Sequence, residues 1–410
     1  MMFRLATYIL LGCGLIHTAD AADDLAAAFG KGKTSGNARV YYFTKDFSDT
    51  APQLIDQRAV SLGGKLHFET DPLAGITGGV SFYTANGLGL NPDNPAEVDA
   101  TLPGKTINVL GEAYVQYSSS TMDFTLGRQE ITTPFAHQSD ARMIPVTFEA
   151  ASFNYNLSAL SIGANYLTKV KDRVSDRFVN TGLYATTLYR VVAPTDTDGI
   201  PVLSLIYDDK SAKFQVWNYY LSDLFNLAFI QGDYIFNAKN VKPFVSAQFV
   251  REWDVGSHLL GQVDSTAYGV LVGIKKGQSG LTAGFNYVPF QAGAFRNGGI
   301  LSPYTFATDP LYTTSMTAGL VEKSTAFAGK AYKIGGSYAL KSWLLLVSYA
   351  KYDLNDNPGG KNSSEVDFDA TYNFQGWLKG LSARNRLGVV NSQVAPEKLI
   401  YNRIQLQYKF

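Results

Sequence analysis

Few side chains in this 410-residue chain could carry chemistry. Once the leader discussed below is removed, the histidines are His67, His137 and His258. His137 has Ser139 and Asp140 close behind it, the residue types of a base, a nucleophile and an orienting acid. Neighbours within one short loop seldom reach triad geometry, and nothing resembles G-x-S-x-G, H-E-x-x-H or a phosphate loop. Asp367 and Asp369 lie two residues apart, so an extended strand places both carboxylates on one face, as a glycosidase might. A wetted wall accounts for the same pair without catalysis. The single cysteine, Cys13, falls in the leader, so the mature chain has no thiol. That excludes disulfide scaffolds, cysteine nucleophiles and Cys-type zinc sites. No catalytic residue, metal site or cofactor is assigned.

The elements that hold these residues are read from composition first. Lys+Arg 35 balances Asp+Glu 35, for a formal net charge of zero. A nucleic-acid binder needs a basic excess, so no such partner is expected. Charged residues make up only 17%, against about 25% in an average soluble domain. Tyr (25), Phe (25) and Gly (38) are abundant, yet mean hydropathy is −0.06. Such a chain suits residues that alternate between two surroundings. Residues 1–21 read as a secretory signal: Met1-Met2-Phe3-Arg4 is a cationic start, Leu5 to Ile16 is apolar apart from Thr7, and Ala19 and Ala21 form an A-x-A cleavage site. Leu10-Leu11-Gly12-Cys13 also resembles a lipoprotein box, though with a very short apolar region before it. Removing the signal takes away Arg4 and Asp20, and neutrality survives.

Past the signal, no stretch approaches the roughly 20 apolar residues of a spanning helix. Period-2 alternation recurs instead. Ile107, Val109, Gly111, Ala113, Val115 and Tyr117 share one parity, against Asn108, Leu110, Glu112, Tyr114 and Gln116. Val366, Phe368, Ala370, Tyr372 and Phe374 oppose Glu365, Asp367, Asp369, Thr371, Asn373 and Gln375. Ile400, Asn402, Ile404, Leu406, Tyr408 and Phe410 oppose Tyr401, Arg403, Gln405, Gln407 and Lys409. Residues 59–69 behave likewise. Strands near ten residues long, with aromatics at their ends, fit a tilted membrane span better than a sandwich. Hydrocarbon cannot satisfy an open strand edge, so the sheet must close.

The expected fold is therefore all-β, a transmembrane antiparallel β-barrel of eighteen strands, with sixteen also compatible. The strands are placed at 37–47, 57–69, 75–84, 105–118, 121–128, 147–157, 159–169, 201–208, 212–221, 224–237, 242–253, 266–276, 280–289, 327–341, 343–354, 364–375, 380–391 and 399–410. Short turns alternate with longer loops, 222–223 being the break in that rhythm. Residues 22–36 read as a periplasmic lead-in and 37–410 as the barrel.

Leu126-Gly127-Arg128-Gln129-Glu130, followed by Asp140-Ala141-Arg142-Met143-Ile144-Pro145-Val146-Thr147-Phe148, resembles the "GRQ…D-x-R-x-x-P-x-T-F" pattern of the OprD-like outer-membrane channels. Ala38 to Phe47 resembles their first strand. Arg403 to Phe410 resembles the aromatic-terminated signal of outer-membrane barrels generally, which implies recognition of the Phe410 strand by the barrel-assembly machinery. The resemblance covers about a third of the chain. It implies an eighteen-stranded porin whose third outer loop, 129–146, folds inward as the constriction, carrying His137, Asp140 and Arg142. It also implies a row of basic side chains that guides small carboxylates. Arg142 matches by motif; parity selects the rest of the row as Lys169, Lys275, Lys333, Arg384, Arg386 and Arg403. Arg128 shares parity with Met122, Phe124 and Leu126, so it lies beyond the hydrocarbon unless a bulge turns it inward.

The function so read is passive diffusion of small hydrophilic solutes through a Gram-negative outer membrane, favouring small anions or carboxylates. A general or cation-preferring porin is the nearest rival, given Asp140, Glu112, Asp367 and Asp369. A surface adhesin using loops 170–200 and 290–326 is the rival of another class. Expected partners are solutes and outer-membrane lipid, with the chain a monomer or a homotrimer.

Overall fold

A computed structural model of the chain describes residues 22–48, 54–102, 105–139, 141–303, 310–321, 328–357, 360–393 and 397–410. Residues 1–21, read from the sequence as a secretory signal, and Asp140 lie outside the described residues. The strands run in chain order: β1 (Lys33–Phe47), β2 (Gln57–Glu69), β3 (Ile76–Asn86), β4 (Ile107–Ser118), β5 (Met122–Gln129), β6 (Thr147–Leu157), β7 (Leu160–Lys171), β8 (Val179–Asn180), β9 (Ile200–Asp208) and β10 (Ala212–Leu221). Then come β11 (Phe225–Ile235), β12 (Lys242–Asp254), β13 (Asp264–Lys276), β14 (Ser279–Val288), β15 (Gly329–Leu340), β16 (Trp343–Asp353), β17 (Ser363–Asn373), β18 (Leu381–Ser392) and β19 (Lys398–Lys409). β8 is a two-residue extension against the end of β7. The other eighteen pair antiparallel with their sequence neighbours, and β19 returns to β1 along Asn37↔Lys409 to Phe47↔Leu399. The sheet is closed. Each of the eighteen strands coincides with one expected from alternation, although β1 begins four residues earlier, at Lys33.

The alternation sorts side chains as a membrane barrel requires. On β17, Glu365, Asp367 and Asp369 are buried inside, while Phe368 is 48% exposed on the outer surface. Outward aromatics form two belts: Tyr117, Tyr207, Phe214, Tyr338, Trp343 and Tyr408 near the short turns, and Tyr42, Tyr220, Trp253, Tyr268, Tyr332 and Tyr349 near the long loops. Such belts mark the two interfaces. The turns are as short as Gly277-Gln278, where Gly277 takes φ 54°.

Two β-bulges break the simple parity. On β4, Ser81 pairs with Glu112 and Phe82 with Leu110, leaving Gly111 unpaired. Val109 is thus buried inside, whereas Val115 is 57% exposed outside, so the single face read for Ile107 to Tyr117 is two half-faces. On β7, Glu149 pairs with Lys169 and Ala150 with Leu167, leaving Thr168 unpaired.

The lumen is not uniformly wet. On the β7–β16 side near the long loops, inward Trp217, Tyr219, Phe229 and Tyr352 pack with apolar residues from loops that have folded in. Among these are Phe135 from loop 130–146, Ala185 from the helix α1 (Thr181–Leu188) and Tyr189 at its C-terminal cap, and Leu301, Leu311 and Leu320 from loop 289–328. The described part of that last loop therefore lies inside the barrel, where sequence reading had offered it to an external partner. Its backbone needs hydrogen-bond partners there, and the wall supplies them. Glu365 accepts from the amides of Thr317 and Ala318, each at 3.0 Å, and from the Thr317 hydroxyl at 2.7 Å. The Tyr352 hydroxyl sits between the carbonyls of Thr313 (2.7 Å) and Ala318 (3.0 Å).

Candidate functional site

Loop 130–146 crosses the lumen between two anchors. At one, the Tyr219 hydroxyl accepts from the Phe135 amide at 3.2 Å, and the Phe135 ring meets Tyr219 and Phe229 edge-on, with centroids 5.8 Å away in each case. At the other, Arg39 on β1 donates to the backbone carbonyl of Arg142 and, at 3.4 Å, to that of Met143. The Arg39 Nε–H also donates to Gln407 at 2.9 Å, which aims the fork at the loop. The Arg142 Nε–H donates to Thr101 at 2.8 Å.

Around this second anchor the arginines collect. The guanidinium groups of Arg142 and Arg403 lie over the same ring, Phe43, at 5.1 and 5.0 Å from its centroid, and Arg403 is also 4.9 Å from the Tyr401 centroid. Tyr401 can lie so because Gly388 is beneath it; a Cβ there would come within 2.2 Å of the ring. Arg386 pairs across the strands with Arg403, and Arg384 with Gln405. Arg384 grips Asp369 with two bonds, Nε to Oδ1 at 2.8 Å and Nη2 to Oδ2, while Arg386 Nε is 3.3 Å from the same Oδ2. One carboxylate thus serves two guanidinium groups. Arg403 Nε has no hydrogen-bond partner among the described residues.

The electrostatics follow from that crowding. Burial pushes the Arg142 guanidinium down to about 10, and the like charge of Arg173 adds to the shift. Arg173 falls to about 10 by burial too, with Asp172 opposing. Both stay charged near neutral pH. Burial alone would raise the carboxyl of Asp99, but Lys45, its ion-pair partner, holds it below the ordinary range. A cavity of about 220 Å³ opens beside the cluster, lined by Tyr312, Met316, Lys333, Asp369, Arg384 and Arg386. A second, of about 460 Å³, continues toward the short turns past Arg39, Arg384, Gln405 and Gln407.

Of the residues singled out from sequence, Arg142, Arg384, Arg386 and Arg403 come together. Lys333 faces inward but donates to the Thr314 carbonyl, so it fastens loop 289–328. Lys275 faces inward at the short-turn end, its ammonium 5.7 Å from the Phe244 centroid. His137 is buried within loop 130–146, and its Nδ1 accepts from the Ser139 amide at 2.9 Å rather than from a hydroxyl. Lys169 is a correction. The bulge at Thr168 reverses its parity, so it points outward and pairs with Glu149 at 2.9 Å. Arg39, Arg173 and Asp99 were missed. Arg39 was findable: it shares inward parity with Tyr41 and Phe43, which alternate with outward Val40 and Tyr42. Arg173 and Asp99 sit in loops, where no period assigns a face. Among the described residues no group of three or more His, Cys, Asp or Glu could hold a metal ion.

A closed cylinder, apolar outside, with charged walls and folded-in loops, is a membrane channel of the β-barrel class. Residues 29–410 match the family model described as outer membrane porin, OprD family. The chain belongs to that family, whose members are channels of the Gram-negative outer membrane. Among solved structures it is similar to OccK9 (OpdG) of Pseudomonas aeruginosa, at 17% identity and TM-score 0.78, covering 93% of this chain and 99% of that one. OccAB3 of Acinetobacter baumannii is 18% identical with TM-score 0.77 and the same coverages. OpdK of Pseudomonas aeruginosa, solved with vanillate, is 16% identical with TM-score 0.73, again covering 93% and 99%. At such identities the likeness establishes the fold. No curated protein matches the chain.

Proposed function

We propose that this porin passes small hydrophilic solutes passively and favours small anions, carboxylates in particular. The observation that carries this reading is the convergence of Arg142 and Arg403 on Phe43, with Arg386 across from Arg403 and a single carboxylate, Asp369, between Arg384 and Arg386. Charges between low-dielectric walls act on a passing ion more strongly than in bulk water. A row of cations lowers the barrier for anions, and several weak sites let the solute leave again. Arginine suits the task because its fork matches a carboxylate through two parallel bonds. Three of the acids that favour a cation-preferring rival are engaged otherwise: Glu112 is paired with Lys65 at 2.6 Å, Asp367 accepts from the Tyr401 hydroxyl and the Met316 amide, and Asp369 holds Arg384. OpdK, solved with vanillate, an aromatic carboxylate, supports trying that compound class first.

Reversal potential across a planar bilayer under a salt gradient tests the proposal. The wild-type chain should be anion-selective, and Arg142→Ala and Arg403→Gln should each move the potential toward the cation side. A cation-selective wild type, or variants with unchanged potentials, would overturn it.

A further inference from the structure

The outward arginine of the G-R-Q segment has no part in the lumen, and the register gives it neighbours. Ala113, Arg128, Glu149 and Lys169 stand opposite one another across β4 to β7. The rung next to them, toward the short turns, is Val115, Leu126, Ala151 and Tyr166. Val115 and Leu126 are each 57% exposed there and Tyr166 45%. On β5 to β7 the charged rung is therefore the first outward one past this apolar rung on the long-loop side, whereas on β4 the next outward residue is Leu110, 45% exposed. Arg128 Nε is 3.5 Å and Lys169 Nζ 2.9 Å from Glu149, so at Glu149 two cations share one acid, and the next acid, Asp196, is engaged by Asn180 beyond Lys169. Arg128 is further held by the Phe178 ring, 4.4 Å from its centroid, and by the Leu110 carbonyl at 3.4 Å. Beyond Lys169, Asn180 continues the rung and donates to Asp196.

A half-exposed ion pair contributes little by itself, and charges facing lipid are unfavourable away from the interface. At the interface the same side chains meet phosphorylated headgroups, whose charge is complementary to the two cations that share Glu149. Lys169 faces that layer only because of the bulge at Thr168. We infer that the rung Arg128–Glu149–Lys169 binds a phosphate of the glycolipid in the outer leaflet, with the lipid's acyl chains lying on Leu126 and Tyr166.

The test uses the refolded full chain in detergent, titrated with diphosphorylated lipid A and with the same lipid dephosphorylated, bound lipid being counted by native mass spectrometry. The phosphorylated lipid should bind at least about tenfold more tightly. Each of Arg128→Gln and Lys169→Gln should weaken it about fivefold, the contribution of one interfacial cation. Lys169→Arg should restore binding, and Lys275→Gln, inside the barrel, should leave it unchanged. If Arg128→Gln does not fold, the two Lys169 variants decide. Equal binding of the two lipids, or unchanged binding by Lys169→Gln, overturns the inference. So does displacement of the lipid by inorganic phosphate at low millimolar concentration, which would assign the site to the free ion.

Discussion

Arg39 on the barrel wall donates to the backbone carbonyl of Arg142, so one arginine fixes the position of another. The contact links a strand whose register is set by the closing pair β1–β19 to the loop that crosses the lumen. The loop's charge is thereby held against the wall and not left on a mobile tether.

Replacing Arg39 by Lys keeps the charge and removes the fork that reaches Gln407 and loop 130–146 together. A charged hydrogen bond of this kind contributes about 1.5–3 kcal/mol. Single-channel recordings should show more open-state noise at a nearly unchanged reversal potential. Noise equal to that of the wild type would mean the loop is held by other contacts.

Phe135 is the opposite anchor, fully buried between Tyr219 and Phe229. Phe135→Ala empties that site at a cost of about 3–5 kcal/mol. Urea unfolding of the refolded barrel should shift to lower denaturant, with the slope preserved. A shift below about 1 kcal/mol would show that the ring is not an anchor.

Glu365→Ala removes the acceptor for two amides and a hydroxyl of Thr317 and Ala318. Unsatisfied groups of this kind each cost about 1–3 kcal/mol when they stay buried, so residues 316–318 should leave the wall. Conductance should rise and protease should cut this segment from the loop side. Unchanged conductance with intact protection would count against the tether.

Asp99 gives a pH dependence with a definite sign. Its carboxyl titrates below the ordinary range because Lys45 outweighs the effect of burial. A group depressed by folding stabilises the fold above its unfolded pKa, about 3.9 for Asp. That contribution disappears as pH falls from there through the folded value. Thermal unfolding followed from pH 6 down to pH 2 should show this loss. Asp99→Asn should be less stable than wild type at pH 6 and should converge with it at the acid end. Parallel curves would refute the assignment.

The strand plan was legible in the sequence because a membrane barrel repeats one local rule eighteen times, and Phe368 or Ile404 follows it without reference to distant residues. Arg384, Arg386 and Arg403 were legible for the same reason. Lys169 was not, because a single unpaired residue at Thr168 reverses every face after it, and a bulge leaves no periodic trace. Gly111 has the same effect on Val115. The inward course of residues 310–321 depends on partners such as Glu365, Tyr352 and Gln248, up to 64 positions away in the chain. No local pattern of the loop reports them.

The loops packed against Tyr219, Phe229 and Tyr352 also brace the cylinder from within. A bare hoop of strands resists flattening only through its twist and its lateral bonds, whereas struts across the bore fix the cross-section directly. Lateral pressure from a thicker or stiffer bilayer should then leave the size cut-off for solutes nearly constant.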